Sequence, residues 1–130
     1  MRRPAIALVV ILLGVGVFAG GLAWLLDIPK APPGASWVER LYLGLCATCH
    51  GADGRGSWRA ALFLIRPGTL AETARGQQSE QYLFDVIKHG GAPLGRPGMP
   101  AFGASLSDDD IRALVAYIQN LGRVAGKASG

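Results

Sequence analysis

The apolar residues of this chain fall into one unbroken block and three periodic stretches. From Ala5 to Leu26, 22 residues pass without a charge, bounded by Arg2 and Arg3 on one side and Asp27 on the other. As a helix the block spans about 33 Å, enough to cross a hydrocarbon layer of about 30 Å. Residues 1–26 are therefore predicted to form a transmembrane signal-anchor helix, with Arg2 and Arg3 on the cytoplasmic side and the remainder exported. A cleaved signal peptide is the alternative, since Val17-Phe18-Ala19 and Gly21-Leu22-Ala23 carry small residues near a possible cut. The block is, however, longer than the roughly 7–15 apolar residues of such signals. Gly16 and Gly20 form a G-x-x-x-G pattern through which a second membrane helix could approach.

The periodic stretches come later. Ser36-Trp37-Val38-Glu39 reads as a capping box, and Trp37, Val38, Leu41, Tyr42 and Leu45 share one face, predicting a helix over about 36–47. Ser79-Glu80 opens a second, with Tyr82, Leu83, Val86 and Ile87 at helical spacing and Gly90-Gly91 as its stop. Asp108, Asp109 and Asp110 favour the start of a third, carrying Ile111, Leu114, Val115, Ile118 and Leu121, with Gly122 as its expected end. No stretch alternates as a strand would, so the fold class is all-α. Residues 27–35, with three prolines, are expected to form a semi-rigid linker reaching about 28 Å. The domain proper is placed at 36–122 and a tail at 123–130.

Composition changes this picture little. A chain of 130 residues allows one compact domain. Only 17% of it is charged, and the uncharged N-terminal block accounts for the deficit. A net charge of +4 without any nucleic-acid motif gives no ground for a nucleic-acid partner. Two cysteines and two histidines exclude a disulfide framework, and also a four-ligand zinc site built from this chain alone.

Those few residues are concentrated in Cys46-Ala47-Thr48-Cys49-His50. Two thiols three positions apart can each bond a vinyl group of one haem while the adjacent imidazole reaches its iron; C-x-x-C-H is the haem c attachment pattern. Chance placement of this chain's cysteines and histidines would produce it on the order of twice in ten thousand. A thioredoxin-like dithiol would need a βαβ setting, a zinc site would need a second C-x-x-C, and a structural disulfide remains as a third alternative. Export past the membrane agrees with covalent haem.

At these residues the chain resembles the small class I c-type cytochromes, over residues 36–122. Cys46 to Gly54 is similar to the family's attachment segment, Gly98-Met99-Pro100-Ala101-Phe102-Gly103 to its axial-methionine loop, and the helix ending Tyr117 to Leu121 to its C-terminal helix. The resemblance implies a few helices wrapped around one covalent haem c. Val38 stands where many members have glycine. Pro67 would, by the same resemblance, direct its carbonyl at the His50 Nδ1 proton, although a plain turn proline is the alternative reading.

Residues 91–103 form a Gly- and Pro-rich loop, a type that is usually functional inside a compact domain. It holds Met99, the one methionine besides the initiator. Cys46, Cys49, His50 and Met99 are thus the candidate cofactor-binding residues, with His50 and Met99 as the iron ligands and His89 as the rival sixth ligand. Trp58, Phe63, Leu64, Ile65, Leu70, Tyr82, Leu83 and Phe102 are candidate haem walls, and Trp58 or Arg66 a propionate contact. Arg55, Arg59, Arg66, Arg75, Lys88 and Arg96 would make a basic rim that steers an acidic redox protein, or a scattered solubilising surface. Thioether and imidazole together leave no open position for a substrate.

The expected function is one-electron transfer, without catalysis or a small-molecule substrate. It would be carried out by a single-pass inner-membrane protein with its haem domain in the periplasm, within or beside a respiratory or photosynthetic complex. An electron-accepting subunit of a dehydrogenase, or a haem enzyme with an open iron, are the alternatives.

Overall fold

The computed structural model describes residues 2–27, 30–62, 67–70 and 78–127, and every regular element among them is helical. Helix α1 (Arg2–Leu26) is followed by α2 (Trp37–Leu45), α3 (Ala47–His50), α4 (Trp58–Leu62), α5 (Glu80–His89), a 3-10 turn (Ala92–Leu94) and α6 (Asp108–Lys127). The stretch Pro4–Leu26 of α1 is long and apolar enough to cross a membrane, and its most apolar part is unburied among the described residues.

Side-chain caps set the starts of the other long helices. Ser36 Oγ accepts from the Glu39 N–H at 3.2 Å, and Ser79 Oγ accepts from the Tyr82 N–H at 3.2 Å. At α6 the exchange is reciprocal: the Asp110 N–H donates to Ser107 Oγ at 3.2 Å, and the Ser107 N–H donates to Asp110 Oδ2 at 3.0 Å. These bonds satisfy donors that the first turn of a helix leaves free.

Two boundaries depart from the sequence expectation. The first predicted helix breaks at Cys46, so Cys46 to His50 occupies a turn of its own. The Cys46 N–H still donates to the Tyr42 carbonyl at 2.8 Å, while the N–H groups of Cys49 and His50 return to the Cys46 carbonyl at 3.2 and 2.9 Å. At the other end, α6 runs through Gly122 to Lys127, because an interior glycine costs a helix only about 1 kcal/mol and does not oblige it to stop.

Helices α2 and α5 both pack on α6. Tyr42, Leu43, Leu83, Ile87, Ile111, Leu114, Val115 and Ile118 close the core between them, and Val38 packs half-buried at its edge. Tyr42, at 0% exposure, lies 5.2 Å from the Tyr117 ring. Its hydroxyl donates to the Gly51 carbonyl at 2.8 Å, tying α2 to the residue after His50.

The extended linker expected after Leu26 takes a different course. Trp24 of α1 stacks on Trp58 of α4 with ring centroids 4.7 Å apart. Arg59 donates through Nη2 to the Trp24 carbonyl at 3.0 Å and through Nη1 to the Asp27 carbonyl. The Trp24 carbonyl, in the last turn of α1, also accepts from the Asp27 N–H at 3.4 Å, so Arg59 adds a side-chain donor at the helix end, where carbonyls lack a full set of partners within the helix. The Ala35 N–H turns back to the Pro32 carbonyl at 3.0 Å, with Gly34 at φ +87°. The helical domain therefore sits against the end of α1, rather than at the end of a tether about 28 Å long.

Candidate functional site

The break at Cys46 gives the attachment segment its shape. Three backbone bonds hold its far side: Gly51 N–H to the Ala47 carbonyl at 2.8 Å, Gly56 N–H to the His50 carbonyl at 2.8 Å, and Ser57 N–H to the Cys49 carbonyl at 2.9 Å. Gly51 sits at φ +77°, and a Cβ there would lie 2.8 Å from the Gly56 carbonyl oxygen. Only glycine lets the loop close this tightly on the turn that bears His50.

The second half of the site is clamped to α5. The Gly91 N–H donates to the Met99 carbonyl at 3.0 Å, the Met99 N–H to the Arg96 carbonyl at 3.2 Å, and the Phe102 and Gly103 N–H groups to the Ile87 and Lys88 carbonyls, each at 3.0 Å. The methionine loop is thus folded back along the C-terminal end of α5, with Met99 packed half-buried against the core.

Between these two halves lies a cavity of about 540 Å³, lined by Cys46, Cys49, His50 and Met99 together with Leu45, Tyr82, Val86, Arg96 and Phe102. An adjoining lobe of about 190 Å³ shares Cys46, His50 and Met99, and is closed by Leu70, Leu83, Ile87 and Ile118. All four sequence candidates meet here, although 49 positions separate His50 from Met99. Both cysteines are half-buried free thiols.

Burial, the largest influence, holds the His50 pKa below its ordinary value, with an opposite effect from the Gly68 backbone. Its Nδ1 is buried and makes no hydrogen bond of acceptable geometry. The ring is therefore neutral at pH 7, with a nitrogen lone pair available to a metal. The backbone group acting on it belongs to Gly68, one residue beyond the Pro67 that the resemblance suggested. Burial, and secondarily Cys49, pushes the Cys46 thiol up to about 11.

The remaining candidates separate. Leu70, Tyr82, Leu83 and Phe102 line the cavity. Trp58 does not: it stacks on Trp24, so neither the wall nor the propionate role is available to it. His89 is exposed on the last turn of α5, its Nδ1 3.1 Å from the Asp85 carbonyl, and is absent from the cavity lining. Phe63, Leu64, Ile65, Arg66 and Arg75 lie outside the described residues. Of the six cations expected as a rim, Arg96 alone among the described residues lines the cavity. Arg59 faces the end of α1, and Lys88 pairs with Asp108 at 2.7 Å. Val86, Ile87 and Ile118 were legible only as helix-face apolar residues; for Val86 and Ile87 the shared spacing with Tyr82 and Leu83 on α5 was the signal that they also face the site.

The donor set fits a haem joined through thioethers: two thiols one turn apart, an imidazole and a thioether within one largely apolar cavity. The larger lobe is within the range of about 300–1,000 Å³ that cofactor sites occupy.

Residues 35–118 match the family described as cytochrome C oxidase, cbb3-type, subunit III. The chain is 28% identical over 102 residues to the cbb3-type cytochrome c oxidase subunit CcoP of Azospirillum brasilense, covering 76% of this chain and 33% of that protein. It is 29% identical over 96 residues to the cbb3-type cytochrome c oxidase subunit FixP of Azorhizobium caulinodans, covering 74% of this chain and 29% of that protein. The aligned part therefore spans about a third of the length of these curated relatives. Because the family match over residues 35–118 spans more than half of the chain, the chain belongs to the cbb3-type cytochrome c oxidase subunit III family, c-type cytochromes whose cofactor is haem c.

Proposed function

We propose that this chain carries single electrons through one haem c, as a subunit or close neighbour of a cbb3-type oxidase complex in the inner membrane. Its helical domain would stand on the periplasmic face. The observation that carries this reading is the convergence of His50 and Met99 on one cavity whose rim bears both thiols. Cys46 and Cys49 would hold the group covalently, and His50 and Met99 would be the residues that bind its iron. Bound there, haem c supplies a one-electron iron couple, and a thioether ligand raises its potential relative to two imidazoles.

The protein's own contribution is rigidity. Gly51 and the bonds from Gly56 and Ser57 fix the His50 side, and the bonds from Gly91, Phe102 and Gly103 fix the Met99 side. Neither ligand then has far to move when the iron changes charge. The partner readings come from the names of the relatives, CcoP and FixP, and the membrane reading from α1.

The test is made on the full chain from a host that attaches haem c. Intact mass should show one haem per chain, and the reduced protein should not bind carbon monoxide. Met99→Ala should lose the long-wavelength thioether band of the oxidised protein and gain carbon monoxide binding. Carbon monoxide binding by the unaltered protein would show an open iron and replace the carrier reading with a haem enzyme.

A further inference from the structure

Helix α4 presents an apolar edge that stays largely exposed. Trp58 and Leu62 stand one turn apart, on the same face, and remain 47% and 60% exposed. Trp58 stacks on Trp24, itself 63% exposed. Its surroundings are set by α1. Residue 15 is the middle of the stretch Pro4–Leu26, and Trp24 lies nine residues beyond it, about 14 Å along the axis. Half the hydrocarbon thickness is about 15 Å. Trp24 therefore stands at the boundary between acyl chains and headgroups, where tryptophan is favoured, and the Trp58 ring, stacked on it with centroids 4.7 Å apart, lies no further than that from the same height. Arg59, bonded to the Trp24 and Asp27 carbonyls, and Lys30 then fall in the headgroup layer, where cations meet lipid phosphates.

We propose that α4 is a second membrane contact, with Trp58 and Leu62 seated in the headgroup–acyl boundary of the bilayer that α1 crosses. The occupant of this face is lipid, because its Trp58 ring stacks on Trp24 of α1, the helix whose exposed apolar surface is long enough to cross the bilayer. The haem cavity is then held at a constant height and tilt above the membrane instead of swinging on residues 27–35. The inference rests on α1 crossing the bilayer, as proposed above.

The full haem-loaded chain is reconstituted into phosphatidylcholine vesicles, with acyl chains either plain or brominated just below the headgroup. Trp24→Phe and Trp37→Phe together leave Trp58 as the only emitter, and the first of these changes preserves an aromatic face for the stack. Energy lost to haem is common to both lipids, so the ratio of the two emissions reports lipid contact. Bromine should quench Trp58, and Leu62→Asp, at an exposed site outside the haem cavity, should abolish that quenching while the haem spectrum and flotation with vesicles are unchanged. Equal emission in both lipids, or quenching that survives Leu62→Asp, would overturn the seating of α4. A chain that fails to float with vesicles would instead overturn the spanning role of α1, and this inference with it. Hydrogen exchange at residues 58–62 gives a second reading if Leu62→Asp loses haem: slow exchange in vesicles relative to detergent supports the contact, and equal exchange refutes it.

Discussion

Removing the hydroxyl of Tyr42 isolates the bond that joins the core to the haem attachment turn. The hydroxyl donates to the Gly51 carbonyl at 2.8 Å from a side chain with 0% exposure, and Phe fits the same space with no donor. A neutral hydrogen bond contributes about 1 kcal/mol, and an acceptor left unpaired in a buried place costs about 1–3 kcal/mol. Gly51 is only half-buried, so water can reach part of that carbonyl, and Tyr42→Phe should cost about 1.5 kcal/mol. With a guanidinium slope of about 4 kcal/mol/M, the unfolding midpoint falls by about 0.4 M and the slope is unchanged.

The pH dependence sharpens the test. Burial, the foremost cause, raises the Tyr42 pKa well above its ordinary value of 10.0. Above pH 10 the unfolded chain loses this proton while the folded chain keeps it. The folded state then binds more protons, and stability falls as pH rises. Each pH unit removes about 1.4 kcal/mol from the unaltered protein and nothing from the Phe variant. The difference between the two should thus hold from pH 6 to 9 and close by about pH 11. A midpoint that does not move at pH 7, or a difference that stays constant through pH 11, would refute both the bond and its burial.

Three further outcomes follow from packing. Gly91→Ala should destabilise more than Gly95→Ala in denaturant titrations. A Cβ at Gly91 would lie 2.3 Å from the Arg96 carbonyl oxygen, an overlap costing about 3 kcal/mol, whereas Gly95 has open space and only a left-handed φ of +72°, worth about 1–2 kcal/mol. Leu114→Ala, at 0% exposure in the α2–α6 contact, should cost about 3 kcal/mol in the same titration. Ser79→Ala removes the acceptor for the Tyr82 N–H and should cost about 1 kcal/mol, with faster hydrogen exchange in the first turn of α5.

What could be read without coordinates was whatever the chain encodes locally. Cys46 to His50 is contiguous, so its chemistry is visible in five letters. The caps at Ser36 and Ser79 reach three residues ahead, and both form at the helix starts read from the sequence. Met99 could be singled out because it is nearly the only methionine and lies in a loop that would make no core by itself. The same local reading failed where a side chain's partner is distant in sequence. Trp58 is an aromatic near the attachment motif, but its ring partner is Trp24, 34 positions upstream. Arg59 is a cation close to that motif, but it donates to the Trp24 and Asp27 carbonyls at the end of α1.

These two errors have one cause. A linker with three prolines looks like a spacer when its composition is read alone, and a spacer would leave the end of α1 facing water. Water could satisfy those carbonyls in the aqueous phase but not at the edge of a hydrocarbon layer, where an unpaired backbone group is costly. A donor from the folded domain is therefore worth more at that level than elsewhere on the surface, and Arg59 provides it, with Trp58 covering Trp24 beside it. On the proposed membrane seating, what would bring the cavity between His50 and Met99 down to the bilayer is thus a requirement of the spanning helix rather than of the haem. That requirement could be inferred from the apolar block, whereas the residues that meet it could be identified only from the fold.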